Sequence, residues 1–225
     1  IDYDREMAFI ATVHKGDSDS LALLFHPPAD LAGRVALLDD SDLVQLALLE
    51  AGEPRCTTDP ARLGRARERL APLLAAGRLL GADRARAALA SPSGAALAVV
   101  WNGDAMRARE QRPALAFSYP REGNPVWTDV VAVPRQPPNR ANALKFVAFL
   151  LKPENAALQS DHSGFATMIR GSEAHMRPQV LAAPELVAPW PAKVGFLVSC
   201  GGAVERVHAA LWDEAKRRAA RAPED

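Results

Sequence analysis

The chain has 225 residues, 48% of them hydrophobic and 24% charged, which is enough for one large domain or two small lobes with a real core. Lys plus Arg balances Asp plus Glu at 27 each, so there is no basic field to gather phosphates, and nucleic acid is not an expected partner. The longest apolar stretches, such as residues 21–25 and 95–101, fall far short of the roughly 20 residues a membrane helix needs, so a membrane-spanning chain is excluded from the expectation.

In chain order, residues 8–13 read as a strand, residues 15–20 as a turn and residues 20–25 as a short helix closed by His26, Pro27 and Pro28. Residues 33–38 form a compact apolar strand that runs straight into Asp39, Asp40, Ser41 and Asp42 and a helix reaching Gly52. This places an acidic cluster at a strand-to-helix turn. Asp59 followed by Pro60 is a helix start, with Asp59 as cap and Pro60 pre-set for the first helical position. That helix is expected over 61–77, kinked or restarted at Pro72. A helix at 82–90 and strands at 96–101, 114–120 and 126–133 follow. Beyond Pro134 a loop leads to a helix at 142–151 with Leu144, Val147 and Leu151 at helical spacing. Pro153 restarts a short helix, residues 164–167 make a tight return, and 184–191 are a proline-punctuated loop. Residues 202–220 close the chain as an amphipathic helix with Val204, Val207 and Leu211 inward.

Strands alternating with helices predict an α/β architecture, in which ligands sit beyond the carboxyl ends of the strands. Asp39 follows one strand, Trp101 ends another, and Trp127 with Asp129 lies at the start of a further one. Carboxylates and indoles together suit an ammonium group: a charge-assisted hydrogen bond contributes about 1.5–3 kcal/mol, and a desolvated cation over Trp about 2 more. Taken singly, Asp39 and Asp42 also read as helix caps, Trp101 and Trp127 as core packing, and Asp104 as the cap of a helix at 105–110. Cys56 and Cys200 read as two buried or half-buried thiols, with one bridge permitted in an oxidising compartment. His14, His26, His162, His175 and His208 show no metal-pair spacing and read as surface or loop residues. Neither a nucleophile elbow nor a glycine-rich phosphate loop is present, so no metal, cofactor or catalysis is expected.

Read in order, the segments 33–42, 57–60, 101–105, 127–134 and 164–167 resemble the spermidine/putrescine-binding proteins of bacterial ABC importers. The resemblance implies an α/β, type II periplasmic-binding-protein-like fold whose two lobes close on the ligand by hinge motion. It implies that Asp39 and Asp42 grip one amine, that Trp101 walls the cleft, that Trp127 stacks on the methylene chain and that Asp129 takes another amine. Phe165 falls where the family usually has Tyr, keeping a ring contact but no hydroxyl. Trp190 is followed by Pro191 where the family can place a Gln, so that polar contact is expected to be lost.

The same resemblance implies a non-enzymatic, periplasmic, monomeric protein that works with a permease and its ATPase. Ile1 is not Met and the first residues lack the pattern of a signal peptide, so a removed leader or a fragment is expected. By analogy, residues 8–126 form the core of the second lobe, with a first crossing strand at 8–13. Residues 127–169 are a remnant of the first lobe, and 170–225 return to the second. In that arrangement one lobe is complete, and Leu144, Val147 and Leu151 lack a sheet to cover. The alternatives are a lobe for another small cationic or amino compound, or a degenerate sensory or interaction lobe.

Overall fold

The structure is a computed structural model that describes residues 10–12, 19–31, 33–91, 93–126, 129–186, 194–196 and 200–220. Its centre is a five-stranded sheet in the order β3-β2-β4-β1-β5, built from β1 (Ile10–Thr12), β2 (Val35–Leu38), β3 (Gly77–Leu80), β4 (Leu97–Ala98) and β5 (Ala116–Ser118). β3, β2 and β4 are parallel, whereas β1 runs antiparallel to both β4 and β5. A separate parallel pair joins β6 (Asn124–Val126) to β7 (Val194–Phe196).

The alternation of side chains along β2 and β4 divides the interior into two layers. Val35, Leu37, Leu97 and Val99 face a core that contains Phe25 of α1 (Ala22–Phe25), Leu46 of α2 (Asp42–Glu50) and Leu70 of α3 (Pro60–Ala76). Leu211 and Trp212 of α9 (Gly202–Ala219) complete that layer. Ala36, Leu38, Ala98 and Val100 face α4 (Ala82–Ala90) and α5 (Asn102–Gln111), through Leu89, Ala105 and Ala108. Both faces of these strands are covered, which is why β2 reads as an unbroken apolar run.

α3 begins as expected: the Asp59 side chain accepts from the Arg62 backbone N–H at 2.9 Å, and Pro60 stands in the first turn. Pro72 does not restart the helix. It lies inside α3 on the exposed side, where the ring costs one backbone hydrogen bond without disturbing the core. Gly77, taken as the last residue of that helix, instead opens β3, which pairs in parallel with β2 from Val35↔Gly77 to Leu38↔Leu80.

Three other expectations are corrected. Asp104 is not the residue before a helix but lies in the first turn of α5, buried, with its carboxylate 2.6 Å from an Arg107 nitrogen and 3.4 Å from Arg86. His208 is not a surface residue: it is buried on α9 and donates a ring N–H to the Thr57 carbonyl at 3.1 Å. Cys56 and Cys200 are not free thiols but a disulfide, with Cα atoms 5.1 Å apart and a sequence separation of 144. The bridge and the His208 contact both fasten α9 to the turn before α3.

The expected strand at 126–133 is shorter and earlier. β6 ends at Val126, and residues 129–134 have no regular structure, with Val130 80% and Val131 61% exposed. α6 (Arg140–Leu150) forms where Leu144, Val147 and Leu151 at helical spacing predict it and is capped by the Asn139 side chain, which accepts from Asn142 N–H at 2.9 Å. None of its residues is buried, and Phe146 and Phe149 stand 58% and 52% exposed. α7 (Pro153–Ser163) follows and ends at Gly164 in the left-handed conformation, φ 73°. The short α8 (Pro178–Leu181) lies in a stretch tied back to α5. There Arg109 clasps the fully buried Glu185 carboxylate with two bonds of 2.7 and 2.8 Å, while Tyr119 and Asn102 donate to the Glu185 carbonyl. The Glu185 carboxylate also raises the pKa of Arg109, by hydrogen bonding ahead of its other effects.

Candidate ligand-binding site

Register brings two of the expected residues together. β2 and β4 pair Val35↔Leu97 and Ala36↔Ala98, and continuing that register sets Asp39 beside Trp101, both just past the carboxyl ends of neighbouring parallel strands. Trp101 is the residue before α5, half-buried and packed against both core layers. Phe165 approaches the same corner. A Cβ placed on Gly103 would lie 3.0 Å from the Phe165 Cζ and 2.7 Å from the Ser163 carbonyl oxygen, so only a glycine lets the 163–165 turn sit against the start of α5. Arg107 fixes that turn by donating to the Ser163 carbonyl at 2.7 Å, and the Ser160 hydroxyl donates to the Phe165 carbonyl.

Asp39 is held from the far end of the chain. Its Oδ1 accepts from Trp212 Nε1 at 3.0 Å and from Lys216 Nζ at 2.9 Å, both on α9. The Lys216 hydrogen bond, ahead of the Trp212 bond in its effect, holds the Asp39 carboxyl below its ordinary pKa, and Asp39 in turn raises that of Lys216. The acidic cluster is thus part of the helix packing as well as a candidate surface for a cation.

Asp42 lies in the first turn of α2, where its side chain accepts from Gln45 Nε2 at 3.0 Å. Burial, reinforced by the neighbouring charge of Asp40, pushes its carboxyl up to about 6. Asp40, a residue the sequence pattern did not single out, supplies the local turn by accepting from the Asp42 backbone N–H at 3.0 Å. Arg55 is also close enough to Asp42 to act on its charge. Asp42 is therefore a half-buried carboxyl whose ionisation costs free energy, unlike Asp39.

Asp129 is exposed and lines a cavity of about 250 Å³ together with Val130, Val147, Leu151 and the residues that follow Phe165, Ala166 and Thr167. Trp127 falls outside the described residues, as does Pro191. Among the described residues no three His, Cys, Asp or Glu side chains gather in a metal-holding group, and no helix is long and apolar enough to cross a membrane.

Residues 6–188 match the family described as bacterial extracellular solute-binding protein. The chain belongs to that family. It is 32% identical over 148 residues to the spermidine/putrescine-binding periplasmic protein of Salmonella typhimurium, a match covering 64% of this chain and 41% of that protein. It is 30% identical over 152 residues to the protein of the same name from Escherichia coli, covering 66% and 42%. The chain thus spans about two fifths of these relatives. The spermidine/putrescine ABC transporter substrate-binding protein of Streptococcus pneumoniae superposes with a TM-score of 0.77 over 97% of this chain and 69% of its own, at 18% identity. That likeness shows the periplasmic-binding-protein fold, and the family is one of binding proteins, not of enzymes.

Proposed function

We propose that this chain is the ligand-binding portion of an ABC importer's solute-binding component, and that its ligand is a polyamine of the putrescine or spermidine class. The observation that carries the reading is the β2–β4 register, which carried on puts Asp39 level with Trp101 past the carboxyl ends of the two strands, with Phe165 packed against Gly103 two residues on. A carboxylate beside an indole is the pairing that takes an ammonium group out of water. Relatives that are 30–32% identical to this chain over about 150 residues are named for the same ligands. In this reading Asp39 and Asp42 serve one amine, Trp101 and Phe165 wall the cleft, Trp127 stacks on the methylenes and Asp129 serves another amine. Residues 8–126 and 170–225 belong to one lobe and 127–169 to the other.

The Cys56–Cys200 disulfide favours an oxidising compartment, which supports a periplasmic setting in partnership with a permease and its ATPase. Calorimetry with putrescine and spermidine tests the assignment. The Asp129→Asn variant is expected to bind at least about tenfold more weakly, the equivalent of about 1.4 kcal/mol. Equal affinity of variant and parent removes Asp129 from the site, and an absence of polyamine binding by the parent overturns the function.

A further inference from the structure

The carboxylate assigned to a ligand amine already holds an amine. Lys216 Nζ lies 2.9 Å from Asp39 Oδ1, 3.5 Å from Asp213 Oδ1 and 5.5 Å from the centroid of the Trp212 ring. Trp212 is nearly fully buried and donates its indole N–H to the same Asp39 oxygen, so two residues one helical turn apart on α9 converge on one acceptor. A carboxylate, an indole face and an ammonium are the set of groups invoked above for ligand recognition, with the ammonium here supplied by the protein.

From this geometry we propose that Lys216 is a specificity-determining residue: an internal ammonium that competes with a ligand amine at Asp39 and weakens the grip on the second positive end of a diamine. The inference rests on the polyamine reading of the site. A ligand amine reaching Asp39 either displaces Lys216 or sits beside it. In the first case the Asp39–Lys216 hydrogen bond is broken; in the second, two ammonium groups lie within a few ångströms of one another. Either outcome falls on ligands with a cation at that end and leaves a monoamine anchored elsewhere nearly untouched. The depressed carboxyl of Asp39 and the raised ammonium of Lys216 agree with a pair already engaged.

The test uses the full 225-residue chain and two probes of equal carbon length, putrescine and n-butylamine, followed through the Trp212 indole N–H resonance and by calorimetry. Lys216→Met is expected to bind putrescine about tenfold more tightly than the parent, corresponding to about 1.4 kcal/mol, with n-butylamine changed less than about twofold. Lys216→Arg keeps the charge and is expected to behave as the parent. Unchanged or weaker putrescine binding by Lys216→Met overturns the competition while leaving the polyamine reading standing. A tenfold gain for both probes overturns it too, since the effect then does not depend on a second cation. If neither probe binds the parent or either variant, the polyamine reading fails and this inference fails with it.

Discussion

Around β2 and β4 both sheet faces are covered, and leucines of α2 and α3 such as Leu46 and Leu70 are fully buried. Along α6 apolar residues are as frequent, yet Leu144, Phe146 and Phe149, and Leu151 just beyond its end, are all exposed. The two regions show that an amphipathic pattern specifies a helix and an apolar face, whereas burial of that face depends on what else is present to pack on it. Fully burying one Leu or Phe side chain contributes about 1.5–3 kcal/mol, so the first region holds its elements by tertiary packing and the second relies on local terms such as the Asn139 cap.

The largest expected effect lies in how the covered region is fastened. The Cys56–Cys200 bridge closes a loop of 144 residues and secures α9, which supplies Leu211 and Trp212 to the core. Reduction of the bridge is expected to lower stability by about 3–4 kcal/mol in urea unfolding followed by circular dichroism. An unchanged midpoint would mean that α9 packs equally well without its staple. Next comes the direct contrast between the regions. Leu70→Ala in α3 is expected to cost about 3 kcal/mol, and Phe149→Ala in α6 less than about 0.5 kcal/mol. Similar losses at the two positions would erase the distinction.

The smallest effect concerns Asp42, whose folded pKa of about 6 lies above the ordinary value of 3.8. The folded protein holds this proton more tightly than the unfolded chain does. The stabilising contribution of the protonated group is therefore full below about pH 4, falls as the pH rises and is lost above about pH 6. Asp42→Asn, which mimics the protonated form, is expected to match the parent near pH 4 and to exceed it near pH 7 by up to about 2 kcal/mol. An equal difference at both pH values would show that Asp42 is not desolvated in the folded protein.

Much of the covered region was legible in the sequence, because β2, α2 and the start of α3 carry local signals: an unbroken apolar run, helical spacing, and Asp59 before Pro60. β3 was not, since Gly77–Leu80 is four residues long, follows a helix directly and is a strand only by pairing with β2. The site was legible in part. Asp39 and Trp101 could be placed at strand ends, but the partners of Asp39 lie 173 and 177 residues away on α9, and no local pattern marks them. The engagement of Cys56 with Cys200 and of His208 with Thr57 depends in the same way on tertiary packing. Asp40 left a local trace, the side chain that closes its own turn two residues on, and attention to that turn chemistry would have found it.

The central claim is that the corner formed by Asp39, Trp101 and Phe165 receives a polyamine. Its most direct test is a nuclear magnetic resonance titration of the chain with spermidine, with 1,4-butanediol as an uncharged control. The account predicts that spermidine shifts the Trp101 and Trp212 indole resonances and the amides of 163–165 while the diol leaves them in place. Equal responses to both compounds, or none to spermidine, would contradict it.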